Sequence, residues 1–182
     1  FHLNYQPRID LASGRITGIE TLIRWRQTEL GIVHPAKFIP VAEQTGLINA
    51  LGRWVQRGVC EQVLAFEREL GPLDFRVSFN LSACEFHPEI ARDVRDLIEA
   101  CGVNPARLQI EITESVILRD EERVIHSLTE LRAAGVSIAL DDFGTGYSSL
   151  SYLHRLPVDT LKIDRSFVTP ITVSQDAAAL TR

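Results

Sequence analysis

SIALDDFGTGYSSL, from Ser137 to Leu150, decides how this chain is read. Ser137-Ile138-Ala139-Leu140 has the composition of a short buried strand. It runs directly into two adjacent carboxylates, Asp141 and Asp142. Phe143-Gly144-Thr145-Gly146 then turns the chain, and a Ser-rich segment opens a helix. Two carboxylates side by side at a strand end repel, and a proton, a Lys or Arg, or a metal ion must offset that repulsion. A polar turn whose Asp caps the next helix is the plain alternative. The sequence on either side of the stretch decides between them.

Upstream, the chain alternates strands and amphipathic helices. His2 to Asp10 and Arg15 to Trp25 read as strands joined by the Ser13-Gly14 turn, and so close short loops make antiparallel pairs. Pro35 to Thr45 reads as a short helix. Gly46 to Leu70 reads as a long one, with Leu47, Leu51, Val55, Val59, Val63 and Phe66 on one face. From there the order is strand, helix, Gly stop, strand. Phe75–Leu81, Arg107–Thr113, Val136–Asp141 and Val158–Ile163 are the third to sixth strands. Pro88–Cys101, Asp120–Ala134 and Tyr147–Arg155 are the helices between them, and Asp176–Arg182 begins another. Such alternation implies parallel strands with crossover helices, in an open doubly wound sheet or a (β/α) barrel. Strand parity separates the two. Val77 and Phe79 oppose Ser78 and Asn80; Ile110 and Ile112 oppose Gln109, Glu111 and Thr113; Ile138 and Leu140 oppose Ala139 and Asp141; Leu161 and Ile163 oppose Thr160 and Lys162. Central strands of an open sheet are apolar on both faces. One apolar face and one small or polar face suit a barrel with a site at its C-terminal mouth.

Composition removes several function classes. The 182 residues support one sizeable core, and 45% of them are hydrophobic, which excludes a disordered chain. No apolar run has the length of a membrane span, so this segment is expected to make no membrane contact. A net charge of -5 argues against a nucleic-acid polymer as partner. Cys60, Cys84 and Cys101 have no metal-binding spacing and read as reduced thiols of a cytoplasmic domain.

Near the C-terminal ends of five strands the polar face carries Glu20, Asn80, Glu111, Asp141 with Asp142, and Lys162. Each has a bland reading alone: Asn80 bonded to backbone, Glu111 capping a turn, Lys162 in solvent. Recurrence at equivalent positions makes independent bland explanations a poor account. Four carboxylates and an amide oxygen form a hard-oxygen site, suited to Mg²⁺ or Mn²⁺ and less specifically to Ca²⁺. Two ions about 3.5–4 Å apart serve phosphoryl chemistry by generating hydroxide and stabilising the leaving oxygen. Lys162 is placed to hold that hydroxide or to balance developing charge. Arg24, beyond Glu20 on the same strand, is a candidate phosphate clamp.

These motifs together resemble the EAL domain, the bacterial cyclic-di-GMP phosphodiesterase family. The likeness is carried by Tyr5-Gln6-Pro7, Glu20-Thr21-Leu22-Ile23-Arg24-Trp25, Phe38-Ile39-Pro40-Val41-Ala42-Glu43 with Gly46, and Asn80-Leu81-Ser82. It continues in Glu111-Ile112-Thr113-Glu114-Ser115, Asp141 to Gly146, and Leu161-Lys162-Ile163-Asp164. The resemblance implies a TIM-like (β/α) barrel with an antiparallel first strand. It implies metal ligation by Glu20, Asn80, Glu111, Asp141 and Asp142, with Lys162 beside the attacking water. Gln6, Leu22, Arg24 and Asp164 would line the dinucleotide. Glu114 would hold the loop after the fifth strand, which the family links to dimerisation and control. Thr21 stands where the family signature has Ala, on the parity opposite Glu20, and little cost is expected.

The implied activity is metal-dependent hydrolysis of cyclic di-GMP to linear pGpG in second-messenger signalling, in a homodimer and alongside sensory or GGDEF domains in a parent that a membrane segment elsewhere could tether. The alternative is a non-catalytic cyclic-di-GMP sensor, which loss of metal ligands would favour; the expected ligands are all in place. Asp142-Phe143-Gly144 also invites a kinase reading, but no Gly-rich loop or catalytic-loop motif accompanies it. The family pattern continues with two more strands, a catalytic Glu and a Gln. Residues 1–182 are therefore expected to be a partial domain with six of eight strands, inactive by itself.

Overall fold

Period-two alternation along each strand is what builds the single sheet of this chain, seen in a computed structural model that describes residues 1–144 and 153–169. β1 (His2–Ile9) and β2 (Ile16–Gln27) form the antiparallel hairpin, with Gln6 opposite Glu20. β4 (Arg76–Asn80), β5 (Leu108–Thr113), β6 (Ser137–Phe143) and β7 (Thr160–Ile163) follow in parallel register, giving the order β1-β2-β4-β5-β6-β7. A seventh strand, β3 (Gly31–Val33), pairs antiparallel with the end of β2. The sequence gives no sign of it, because three residues are too short to alternate. Among the described residues β1 and β7 do not pair, so the sheet is open.

The helices cover one face. α1 (Pro35–Thr45) starts on a proline with His34 accepting from the Ala36 N–H, and Gly46 stops it in a left-handed conformation at φ 74°. Gly46 therefore belongs to the end of α1, and α2 runs from Ile48 to Leu70, two residues later than the apolar spacing indicates. α3 (Ile90–Cys101) and α5 (Glu121–Ala133) complete the layer, with a short α4 (Glu114–Arg119) between β5 and α5 and a one-turn α6 (Arg165–Val168) after β7. The expected helix at Tyr147–Arg155 lies mostly outside the described residues, and that at Asp176–Arg182 wholly outside. No helix among the described residues is long and apolar enough to cross a membrane.

Two kinds of interior result. Val77, Phe79, Leu108, Ile110, Ile112, Ile138 and Leu140 pack against Val59, Val63, Val94, Ile98, Leu128 and Leu131 of the helices. Burial of this apolar surface is the main stabilising term, at roughly 25 cal/mol per Å². The opposite face of the strands is also buried but polar. There Gln109 donates to Ser137 Oγ at 3.2 Å and to Thr160 Oγ1 at 3.0 Å, and Ser78 donates to the Ile19 carbonyl. This polar layer is the floor beneath the carboxylates.

Candidate metal-dependent active site

Parallel register brings the C-terminal ends of the strands to one level, and the side chains of the polar face meet there. Lys162 of β7 is the centre of the meeting. Its Nζ lies 3.2 Å from Glu20 Oε2, 2.5 Å from Glu111 Oε2 and 2.8 Å from Asp141 Oδ2. These three carboxylates come from β2, β5 and β6, and one oxygen of each lies within 4.8 Å of the others. Burial alone would favour a neutral lysine, but the bonds from Asp141 and Glu111 and the charges of Glu111 and Glu20 outweigh it and raise the Lys162 pKa. Glu111 is completely buried; that burial pushes its carboxyl up, while Lys162 and Ser78 pull it back.

Asp141 and Asp142 sit on a register shift between β6 and β7, and Asp142 adopts φ 52°. Asp tolerates this left-handed backbone better than most residues. Burial raises the Asp142 pKa, and the charges of Asp141, Asp164 and Glu20 raise it further against Lys162. Asp142 thus feels the same cluster without belonging to the tight group of three. Asn80 ends β4 directly beside Glu111 in the register, and the next N–H, of Leu81, donates to the Glu111 carbonyl at 2.9 Å. Asn80 shares a cavity of about 390 Å³ with Leu22, Arg24, Glu43, Ser82 and Ser115. Arg24 there donates to the Ile23 carbonyl at 2.9 Å.

Gln6 is exposed on β1 opposite Glu20. Asp164 accepts from Ser166 N–H at 2.8 Å as the N-cap of α6, and the Ser166 hydroxyl first and this N–H second lower its pKa. Glu114 is buried at the start of α4 and accepts from the Gly144 N–H at 3.0 Å, which ties β5 to the turn after β6.

Two participants have no role assigned to them by the sequence reading. Arg8 of β1 reaches across the floor to Glu111 Oε1 at 3.4 Å. Its side chain lies over Gly18, where a Cβ would come within 2.4 Å of the guanidinium. A glycine two residues before Glu20, on its parity, is the signal that a long side chain crosses there. Glu43 of α1 accepts from Ser82 Oγ at 2.6 Å and so braces the turn after Asn80. Thr21 departs from expectation in a different way. It is buried, and its hydroxyl has no hydrogen-bond partner among the described residues.

The EAL domain family model matches residues 1–182. The chain belongs to the EAL domain family. This EAL domain is 41% identical over 182 residues to the "Cyclic di-GMP phosphodiesterase PA2567" of Pseudomonas aeruginosa, covering 100% of the chain and 31% of that protein. It is 44% identical over 181 residues to an "Uncharacterized signaling protein" of Caulobacter vibrioides, covering 99% of the chain and 22% of that protein. Among solved structures, "PaMucR Phosphodiesterase, c-di-GMP complex" superimposes with a TM-score of 0.90 at 40% identity, covering 98% of the chain and 72% of the other. The chain thus has the TIM-like barrel fold of its family, with the sheet open among the described residues. It spans less than a third of the length of the curated relatives it matches.

The carboxylate group passes a simple test of fit to a divalent cation. Its donors are hard oxygens, they converge within 4.8 Å, and among the described residues Lys162 and Arg8 offset their charge.

Proposed function

We propose that this EAL domain hydrolyses cyclic di-GMP to linear pGpG. The convergence of Glu20, Glu111 and Asp141 around Lys162 carries the reading, in a chain alike over its whole length to a named cyclic-di-GMP phosphodiesterase. Water attacks one phosphorus in line, the opposite bond from phosphorus to ribose oxygen breaks, and that oxygen takes a proton as the ring opens. Glu20, Asn80, Glu111, Asp141 and Asp142 would hold Mg²⁺ or Mn²⁺, which would supply an acidified water and positive charge for the phosphoryl oxygens.

The chain's own residues do the rest. Lys162 keeps its proton; its three N–H bonds go to Glu20, Glu111 and Asp141, and once those oxygens turned to a cation one of them would be freed to orient the attacking water and offset charge growing on phosphorus. Arg24 clamps a phosphate at the rim of the cavity, since a guanidinium presents a planar fork to phosphate oxygens. Leu22 beside it packs on the ligand, and Gln6 and Asp164 contact the dinucleotide from β1 and the end of β7. Glu114 holds the turn that follows Asp141 and Asp142.

A relative named "Bifunctional diguanylate cyclase/cyclic di-GMP phosphodiesterase MucR" supports a parent with a cyclase or sensory domain attached. Homodimerisation through the EAL domain and a cytoplasmic setting complete the reading. The test is to incubate the purified parent protein that carries this domain with cyclic di-GMP and Mn²⁺ and to follow pGpG by chromatography. Binding of cyclic di-GMP without any pGpG would replace the enzyme by a sensor.

A further inference from the structure

The turn that leaves Asn80 is held by a buried carboxyl that the chemistry above does not use. Ala83–Glu85 form a single 3₁₀ turn capped at both ends of a reciprocal pair. Glu85 Oε2 accepts from the Ser82 N–H at 2.9 Å, and Ser82 Oγ accepts from the Cys84 N–H at 3.2 Å. The same Ser82 hydroxyl donates to Glu43 Oε1 at 2.6 Å. Glu85 is 4% exposed. Its other oxygen faces Gly52 of α2, where a Cβ would lie 1.7 Å from Oε1. No side chain at that position leaves room for the carboxyl, so the glycine is a notch and Glu85 fills it.

We infer that Glu85, seated in the Gly52 notch, is a positioning residue that holds the Asn80–Ser82 turn at the metal site. The link to Asn80 rests on the phosphodiesterase reading; the seat itself does not. Glu43 of α1 and Arg53 of α2 act on this carboxyl, and Arg57 of α2, His87 after the turn and Asp93 of α3 line the cavity beside it. Burial pushes Glu85 up to about 7, the Ser82 N–H opposes this, Glu43 adds to it and Arg53 opposes it. Below about pH 7 it is therefore the neutral acid that sits in the notch. The carboxylate is driven toward water, which has an approach through the cavity of about 330 Å³ that Glu85 shares with Arg53, Gln56 and Arg57.

A raised acid pKa means that the seat contributes most at low pH. Its contribution falls as pH rises from the unfolded value near 4.5 through about 7. Glu85→Gln keeps an oxygen for the Ser82 N–H and cannot ionise. Glu85→Ala removes the bond, and Gly52→Ala blocks the notch.

Two measurements on the purified protein test the inference. Without metal, urea midpoints from pH 5 to 8.5 should fall with pH in the wild type, and Glu85→Gln should remove most of that slope. With Mn²⁺, titration calorimetry should show affinity weakened about 10–100-fold in Glu85→Ala, as for loss of an outer support of a ligand. Glu85→Gln should stay within about threefold of the wild type at pH 6 and bind more tightly than it at pH 8.5. Gly52→Ala, if it folds, should behave as Glu85→Ala. Equal Mn²⁺ affinity in Glu85→Ala and wild type, or an unchanged pH slope in Glu85→Gln, would overturn the role. Failure of the protein to hydrolyse cyclic di-GMP would sink the phosphodiesterase reading and leave both of these readouts intact.

Discussion

Glu114 Oε1 accepts the Gly144 N–H at 3.0 Å, across a sequence separation of 30 residues. One bond thereby joins the first turn of α4 to the turn that follows Asp141 and Asp142. Gly144 has φ 99°, and a Cβ there would come within 2.6 Å of the Phe167 ring, so the turn is fixed from both sides. Glu114→Ala should free the Gly144 N–H and let the two aspartates drift. Small misplacements of catalytic groups are costly. Steady-state kinetics should show kcat reduced by at least about tenfold, with a smaller effect on KM. Glu114→Gln keeps an acceptor and should recover part of the loss.

Lys162 offers a second prediction. Removing it leaves three carboxylates, one fully buried, and among the described residues Arg8 as the remaining cation on Glu111. Loss of one partner from a buried ionic group typically costs about 3–5 kcal/mol. Lys162→Met should therefore lower the metal-free urea midpoint clearly, and Mg²⁺ should restore stability to a greater extent than in the wild type. Because the Lys162 pKa is raised, its stabilising contribution is complete below the ordinary lysine value and disappears only in strong alkali. The difference between variant and wild type should then widen as pH rises, because Glu111 is no longer pulled back by Lys162 in the variant and its ionisation costs more there. A variant as stable as the wild type without metal would mean that the carboxylates do not need the ammonium.

Why some of this is legible in sequence and some is not follows from range. The carboxylates at the ends of β2, β5 and β6, and Lys162 on β7, declare themselves because the period of a strand is fixed and parallel register levels the strand ends. Arg8 does not, because β1 runs the other way. Its level is that of Gly18, below Glu20, and only the length of its side chain brings it to Glu111. α4 is hidden because Glu114–Arg119 follows β5 without a glycine or proline, and Asp120 both ends α4 and caps α5. β3 exists only through its pairing with Trp25, Arg26 and Gln27. The Gly52 notch is beyond any local pattern, since it is defined by a carboxyl 33 positions away in the chain.

Thr21 tests whether parity was a sufficient guide at the signature position. Its side chain does avoid the carboxylates, but the hydroxyl is buried with no hydrogen-bond partner among the described residues. An unpaired buried hydroxyl costs roughly 1–3 kcal/mol. Thr21→Ala, the residue of the family signature, loses one methyl of packing and removes that hydroxyl. Thr21→Val keeps the shape and removes only the polar atom. Thr21→Val should raise the thermal midpoint, by more than Thr21→Ala does, with Mn²⁺-supported turnover unchanged within about twofold. A drop in midpoint for Thr21→Val would show that the hydroxyl is satisfied in solution.

The division of labour between Glu20 and Arg24 gives the sharpest test of the chemistry, because both lie on β2 and both variants should fold. Glu20 belongs to the group of three carboxylates within 4.8 Å, whereas Arg24 lines the neighbouring cavity and bonds to backbone. Glu20→Ala removes a metal ligand and with it an interaction that matters most as charge builds on phosphorus. It should lower kcat by several orders of magnitude, and excess Mn²⁺ should recover little. Arg24→Ala removes a contact made to bound substrate and transition state alike. An interaction of equal strength in both states changes KM and leaves kcat nearly alone. Its KM should rise about tenfold or more, with kcat within about threefold, and the loss should shrink as salt is raised. Chelation of the wild type should abolish turnover, and Mg²⁺ or Mn²⁺ should restore it. Full turnover in excess chelator, or a Glu20→Ala enzyme with near-normal kcat, would remove the metal from the mechanism and return the cluster to a structural role around Lys162.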